Sequence, residues 1–376
     1  MKRNHLIILL ISLLITTFFL SYGFLSTPPS RGKSSDVFVG VDVAYGDVEE
    51  IKKVADQVSS YTNLIVIGCS GITNNATKLN ETCQYVYDKG LSFIIYLDRA
   101  PRTQWLEDAK TRWGNRFLGF YAFDEVGGWQ LDLQKYRVVQ EADNHSDAST
   151  QFVDGLNRTL TRFTRYYPNS THFPLFSSDY ALYWFDYKAG YDTLFAEFGW
   201  NYSRQLNVAL CRGAATVQNK DWGIIITWTY NNPPYIESGD KLYNDLVLAY
   251  ENGAKYITIL DTDQNYTQGI LKDEHLQALK QFWQYVQNNP RSSIPASDRV
   301  AYVLPKDYAY GFRGPNDKIW GFWEADSFSI ELCKNLNSQL EQHGTKLDIV
   351  YDDGLQPNNT NGYSKVIFWN GTTLNP

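Results

Sequence analysis

Residues 117–128 read "FLGFYAFDEVGG". Apolar and aromatic side chains run to Phe123, then Asp124 and Glu125 arrive together, and Gly127 and Gly128 follow. A short apolar run closed by glycines reads as a buried strand. An unpaired buried charge is costly, so the two acids at its end are either satisfied by partners or used. Similar runs recur on both sides: "VFVGVDVAYG" (37–46), "NLIVIGCSG" (63–71), "LSFIIYLD" (91–98), "HFPLFSSD" (172–179), "DTLFAEFGW" (192–200), "WGIIITWTY" (222–230) and "KYITILDTD" (255–263). Helix-length polar segments separate them, at 47–60, 76–90, 101–115, 131–166, 181–190, 201–219, 239–252 and 272–288. Strands joined by crossover helices form parallel sheets. Eight such units over about 250 residues predict an α/β chain closed as a (β/α)8 barrel across residues 36–290. An open doubly wound sheet is the alternative, but "VAYGDVEE" lacks the G-x-G-x-x-G loop such a sheet uses for phosphates.

The pattern restarts after a Pro/Ser-rich linker at 291–299. Strands at "RVAYVLP", "KLDIVYDD" (346–353) and "SKVIFWNG" (364–371), with a helix at 328–343, predict a small α/β domain over 300–376. This part resembles the beginning of a flavodoxin-like module. The loop 306–326, rich in Tyr, Trp and Gly, is expected to lie against the barrel.

At the other end, Lys2 and Arg3 precede an apolar run from Leu6 to Leu20 that extends to Leu25. No small-residue cleavage site is evident, so residues 1–25 read as a transmembrane signal-anchor, with a cleaved signal peptide as the alternative. Basic residues before the span place the body outside the membrane. Residues 26–35 read as a linker. Nine N-x-S/T sequons, at Asn75, Asn80, Asn144, Asn157, Asn169, Asn201, Asn265, Asn358 and Asn370, fit an exported glycoprotein. Cys69, Cys83, Cys211 and Cys333 form no C-x-x-C, and either a Cys69–Cys83 disulfide or buried thiols fit them. With net charge −7 and scattered basic residues, the chain has no footprint for nucleic acid. Aromatics reach 15%, and Tyr and Trp offer flat apolar faces with polar edges.

Barrel chemistry sits at the C-terminal ends of the strands. Those ends supply Asp42 and Tyr45, Cys69, Asp98, Asp124 and Glu125, Asp179, Glu197 and Trp200, Trp228 and Tyr230, and Asp261 and Asp263. None of the five histidines ends a strand, which removes histidine-ligated metal hydrolysis and a Cys69 nucleophile. Lys255 lies at the wrong end of its strand for Schiff-base chemistry. No cofactor and no metal is called for, although a magnesium site built from Asp residues stays open. What survives is a mouth of carboxylates and aromatic rings, the combination that glycoside hydrolysis needs.

On these residues the chain resembles the TIM-barrel glycoside hydrolases. "YAFDEVGG" resembles their acidic fourth-strand ending and "LFAEFGW" a second acidic strand end. The Asn-Glu of the large retaining superfamily is absent, since Asp124 precedes Glu125, and "IIITWTY" carries no acid on the seventh strand. The resemblance implies an oligo- or polysaccharide substrate. Two assignments follow. In the favoured one Glu125 and Glu197 form the working pair. In the other, Asp124 and Glu125 act together, as in enzymes for N-acetylated sugars. Strand alternation opposes the second unless the strand has ended before Asp124. Candidate substrate-binding residues are Asp42, Tyr45, Trp129, Asp179, Trp200, Arg204, Trp228, Tyr230, Asp261 and Asp263, while Arg212 reads as an ion-pair partner. The rival class is a surface carbohydrate-binding protein on a glycosidase-like barrel.

Overall fold

The computed structural model describes residues 37–97, 103–165, 172–291, 298–354 and 362–375. The expected signal-anchor and first linker, Asp98, most of the second linker, Asn169 and Asn358 lie outside the described residues. Among the described residues no helix is long and apolar enough to cross a membrane.

Eight strands close a parallel barrel in sequence order: β1 (Phe38–Val43), β2 (Leu64–Ile67), β3 (Ser92–Tyr96), β4 (Phe117–Tyr121), β5 (Leu175–Asp179), β6 (Thr193–Phe198), β7 (Asp221–Ile226) and β8 (Tyr256–Leu260). β8 returns to β1 in parallel register, with Gly40 opposite Thr258. Helices α1 (Val48–Val58), α2 (Ser70–Thr73), α3 (Ala76–Asp88), α4 (Thr103–Trp113), α5 (Val126–Asp132), α6 (His145–Thr164), α7 (Tyr183–Ala189), α8 (Arg204–Gln218), α9 (Gly239–Glu251) and α10 (Asp273–Asn288) lie between and after the strands. Leu64, Val66, Ile94, Tyr121, Phe176, Phe195, Ile225 and Tyr256 fill the barrel interior. The larger apolar core packs strand backs against the helices. Gly40 is required where the first two strands meet, because a Cβ there would lie 1.9 Å from the Leu64 carbonyl oxygen.

The single long helix expected at 131–166 is not formed. α5 begins directly after Glu125, and α6 starts only at His145, where the Asn144 side chain accepts from the Asp147 amide at 3.0 Å. An Asx cap of this kind fixes a helix start that apolar periodicity alone misses.

Beyond the barrel, β9 (Val300–Leu304), α11 (Ser327–His343), β10 (Leu347–Tyr351), β11 (Lys365–Phe368) and β12 (Thr373–Leu374) form a four-stranded sheet ordered β10-β9-β11-β12. Its first three strands are parallel, and the short β12 is an antiparallel addition that the sequence reading lacks. This sheet is locked to the barrel through α8. Asp348 on β10 accepts from Arg212 Nε at 2.7 Å and Arg299 Nη1 at 2.6 Å. All four cysteines are buried and free.

Candidate active site

The turn after β4 decides which side chains meet. β4 ends at Tyr121, and the chain then passes through left-handed conformations at Phe123 (φ 59°) and Glu125 (φ 52°). Such angles are costly for residues with a Cβ, so they mark a conformation that the surroundings impose. The Glu125 amide donates to the Ser178 carbonyl at 3.0 Å. The strict alternation of a strand has ended by this point, and Asp124 and Glu125 both face the same cavity. Asp179 braces the turn, accepting from the amides of Gly127 (2.6 Å), Gly128 (3.2 Å), Tyr180 (2.7 Å) and Ala181 (2.8 Å). Gly128 has to be glycine, since a Cβ there would sit 2.1 Å from the Tyr180 ring.

The cavity, about 710 Å³, opens at the C-terminal end of the barrel. Its walls include Tyr45, Trp129, Tyr180, Trp200, Tyr202 and Trp228. Tyr180 and Tyr202 stack with centroids 5.5 Å apart, and Trp200 meets Trp228 edge-on at 6.5 Å. Asp42, Asp124, Glu125, Asp132 and Glu197 line it, and among the described residues no Lys, Arg or His does. Asp132 is paired to Arg313 from the 306–326 loop, at 2.5 and 2.9 Å, and accepts from the Tyr180 hydroxyl at 3.0 Å. The expected packing of that loop against the barrel therefore extends to the cavity wall.

The remaining carboxyls share few protons. Ser178 Oγ lies 2.8 Å from Asp124 Oδ1 and 2.6 Å from Glu197 Oε1. A hydroxyl has one hydrogen to give. Asp124 Oδ1 also accepts from the Tyr121 hydroxyl at 2.5 Å, so Asp124 is the better-served of the two. Burial, then the charges of Glu125 and Asp124, drive Glu197 well above the usual carboxylate range. Burial also raises Asp124, with the Tyr121 and Ser178 bonds pulling it back. Glu125 accepts from Trp129 Nε1 at 2.7 Å and is in hydrogen-bond contact with Glu197. Burial and the Asp124 charge push Glu125 up to about 7, while those two bonds hold it lower. Two carboxyls in contact must share a proton. Among the described residues, no cluster of three or more acids, histidines or cysteines is arranged to hold a metal ion.

No family model matches the sequence, and neither does any curated protein. Solved structures do share the architecture. GH5_18 from Streptomyces cattleya, solved in complex with GlcNAc, aligns with a TM-score of 0.54 at 12% identity, over 90% of this chain and all of that one. Alpha-L-fucosidase isoenzyme 2 from Paenibacillus thiaminolyticus aligns with a TM-score of 0.51 at 11% identity, over 89% of this chain and 64% of that one. The fold is shared with glycoside hydrolases. At such identities the likeness is one of fold.

Of the residues singled out in the sequence, Asp42, Tyr45, Asp124, Glu125, Trp129, Glu197, Trp200 and Trp228 line the cavity together. Five do not. Asp179 is buried behind the wall with its oxygens occupied by amides. Arg204 is bonded to Asp245 (2.8 Å) and to the Gly199 and Tyr202 carbonyls. Asp261 accepts from the Leu271 amide at 2.8 Å, and Asp263 from the amides of Asn265 and Thr267. Tyr230 is 43% exposed and lies off the cavity. Arg212 is an ion-pair partner, as expected. The sequence reading missed Ser178, Tyr121, Tyr180, Tyr202 and Asp132. A period-two count from the interior Phe176 puts Ser178 inward and Asp179 outward, and that signal was available.

Proposed function

We propose that this chain hydrolyses glycosidic bonds, with Glu125 as the proton donor and Glu197 as its partner. One observation carries the reading: the two carboxyls, from the ends of β4 and β6, face each other in an aromatic-walled cavity that no Lys, Arg or His lines among the described residues. A group near 7 keeps part of its proton at neutral pH, as a general acid requires. Trp129 Nε1 fixes one oxygen of Glu125. Ser178 ties Glu197 to Asp124, so Asp124 acts on the pair through that hydroxyl. With β4 ended at Tyr121, nothing in the backbone opposes the assignment of Asp124 and Glu125 as joint actors, and Asp124→Asn separates the two. Loss of turnover only on N-acetylated sugars would favour the joint assignment.

Working pairs stand ~5–5.5 Å apart for retention or ~6.5–9.5 Å for inversion. Glu125 and Glu197 are in hydrogen-bond contact, and the separation that decides the outcome is the one with a sugar bound. The same contact favours a second reading, a carbohydrate-binding barrel without turnover. Glu125→Gln decides between them. It should abolish hydrolysis of unactivated glycans, spare activated aryl glycosides more, and leave binding intact. Wild type that binds sugars and cleaves none of a broad panel supports the second reading. Wild-type kcat/KM should decline as pH rises above about 7 and Glu125 loses its proton.

We also propose that the body is exported and tethered by residues 6–25. Support comes from the apolar run and from the exposure of Asn75, Asn144, Asn157, Asn201, Asn265 and Asn370. N-terminal sequencing that began near residue 26 would overturn the tether. A mass unchanged by endoglycosidase would overturn the glycans.

A further inference from the structure

Asp42 belongs to β1 and lines the cavity, yet it is only 7% exposed and its Oδ1 has no hydrogen-bond partner. A buried polar atom left unsatisfied costs stability, and such atoms in native proteins call for an explanation. Among the described residues its neighbours offer no positive charge. Asp124 faces it from the turn after β4, Tyr121 from β4, Cys69 from the end of β2 and Tyr45 from its own strand's end. Arg313 and Arg204, from the surrounding elements, are bonded to Asp132 and Asp245 instead.

We propose that the cavity takes a glycan carrying a free, protonated amine, held between Asp42 and Asp124. This rests on the sugar-cleaving reading of the same site and names its substrate class. A neutral hydroxyl would satisfy Oδ1 but bring no counter-charge to Asp124. An ammonium satisfies Oδ1, offers further donors to Asp124 and lets both groups carry their charge. The aromatic walls suit it twice, since ring faces pack on sugars and attract cations. A bare metal ion fits less well, because no acid cluster among the described residues is arranged to ligate one. Burial and the Asp124 charge push Asp42 up to about 8, so an arriving ammonium displaces a proton from it.

The test is calorimetric binding to the Glu125→Gln chain, which holds ligand without turnover. Probes are tetraglucosamine and the methyl glycosides of glucosamine, galactosamine and mannosamine, each beside its N-acetyl and 2-hydroxyl counterpart. At least one amine should bind about tenfold or more tighter than both counterparts, the range of a charge-assisted bond. Its binding should release protons at pH 7, read from buffers of different ionisation enthalpy. Asp42→Asn should abolish both the preference and the proton release while keeping the fold by circular dichroism. If Asp42→Asn fails to fold, Asp42→Glu should keep the preference in weakened form. Equal binding of amine and counterpart, no amine binding at all, or displacement of the amine by millimolar Mg²⁺ or Ca²⁺ would each overturn the proposal. The two readings fail separately. Hydrolysis of neutral glycans without amine preference sinks this one alone. Amine-selective binding without any turnover by wild type sinks the hydrolase reading alone.

Discussion

Ser178 carries one hydroxyl hydrogen and faces two carboxyl groups, which makes it the most sensitive small residue of the site. Ser178→Ala removes the one hydroxyl donor that Asp124 and Glu197 share. Stability in urea should fall by about 1–3 kcal/mol, the range for stranding buried polar groups. Asp124 should then titrate higher, because the Ser178 bond was lowering it. Glu125→Gln makes a prediction of the opposite sign. The folded-state value of Glu125 is raised from 4.5 to about 7, so the folded chain binds the extra proton between those limits. Its contribution is complete below about 4.5 and is lost as pH rises through 7. Glutamine never ionises, so the variant should match wild type near pH 4.5 and exceed it at pH 8 by up to about 3 kcal/mol. Thermal unfolding across that range measures the difference, and a wild type equally stable at both ends would contradict it. Residue identities made Glu125, Glu197 and Asp42 legible in the sequence, because a carboxylate ending an apolar run is conspicuous there. Ser178 was not legible in the same way, since a serine beside Asp179 attracts no notice until the direction of each side chain is counted.

At the scale of the element, the barrel strands were readable because each is an apolar run too short for a helix and bounded by turn residues. β5 was the faintest, since its Ser177, Ser178 and Asp179 are polar and yet buried. The turn after β4 could not be read, because its left-handed residues are Phe123 and Glu125 rather than glycines. Gly127 and Gly128 serve a different end. They let the first turn of α5 approach Asp179 and the Tyr180 ring, and an added methyl would collide with both. Gly128→Ala should therefore displace Tyr180 or α5, moving Trp129 away from Glu125. Overpacking of this kind costs about 1–3 kcal/mol. The change should cut kcat/KM more than it cuts stability would suggest, with Tyr180→Ala in the same chain restoring part of the fold's stability. A Gly128→Ala chain with unaltered kinetics would show that α5 does not position Glu125.

At the scale of the whole molecule, the contact between the C-terminal sheet and the barrel includes a buried charge. Asp348 is fully enclosed and holds Arg212 of α8, Arg299 at the start of β9 and the Tyr363 hydroxyl at 3.0 Å. Arg212 also donates to the Thr345 and Leu347 carbonyls, and the backbone of α8 at Gly213 leaves no room for a Cβ against Ile349. The sequence showed a linker and a restarted pattern but gave no sign of this contact, whose partners Arg212 and Asp348 are far apart in the chain. Removing one member of a buried ion pair strands the others, at about 3–5 kcal/mol. Asp348→Ala leaves two guanidinium groups without their carboxylate, so it should fall in or above that range, and Asp348→Asn should do less damage because it keeps the shape. The cavity lies at the mouth of the barrel, and the 306–326 loop reaches it separately through the Arg313–Asp132 pair. Arg313→Ala should therefore weaken sugar binding by freeing Asp132 and Tyr180, with a smaller loss of stability than Asp348→Ala. Denaturant unfolding followed by tryptophan fluorescence and by far-ultraviolet circular dichroism checks both. Wild type should unfold in one transition, since the sheet's neighbours are barrel residues, and Asp348→Ala should shift that transition or split it. A wild-type chain that already unfolds in two separate steps would mean that the Asp348 contact does not couple the two parts.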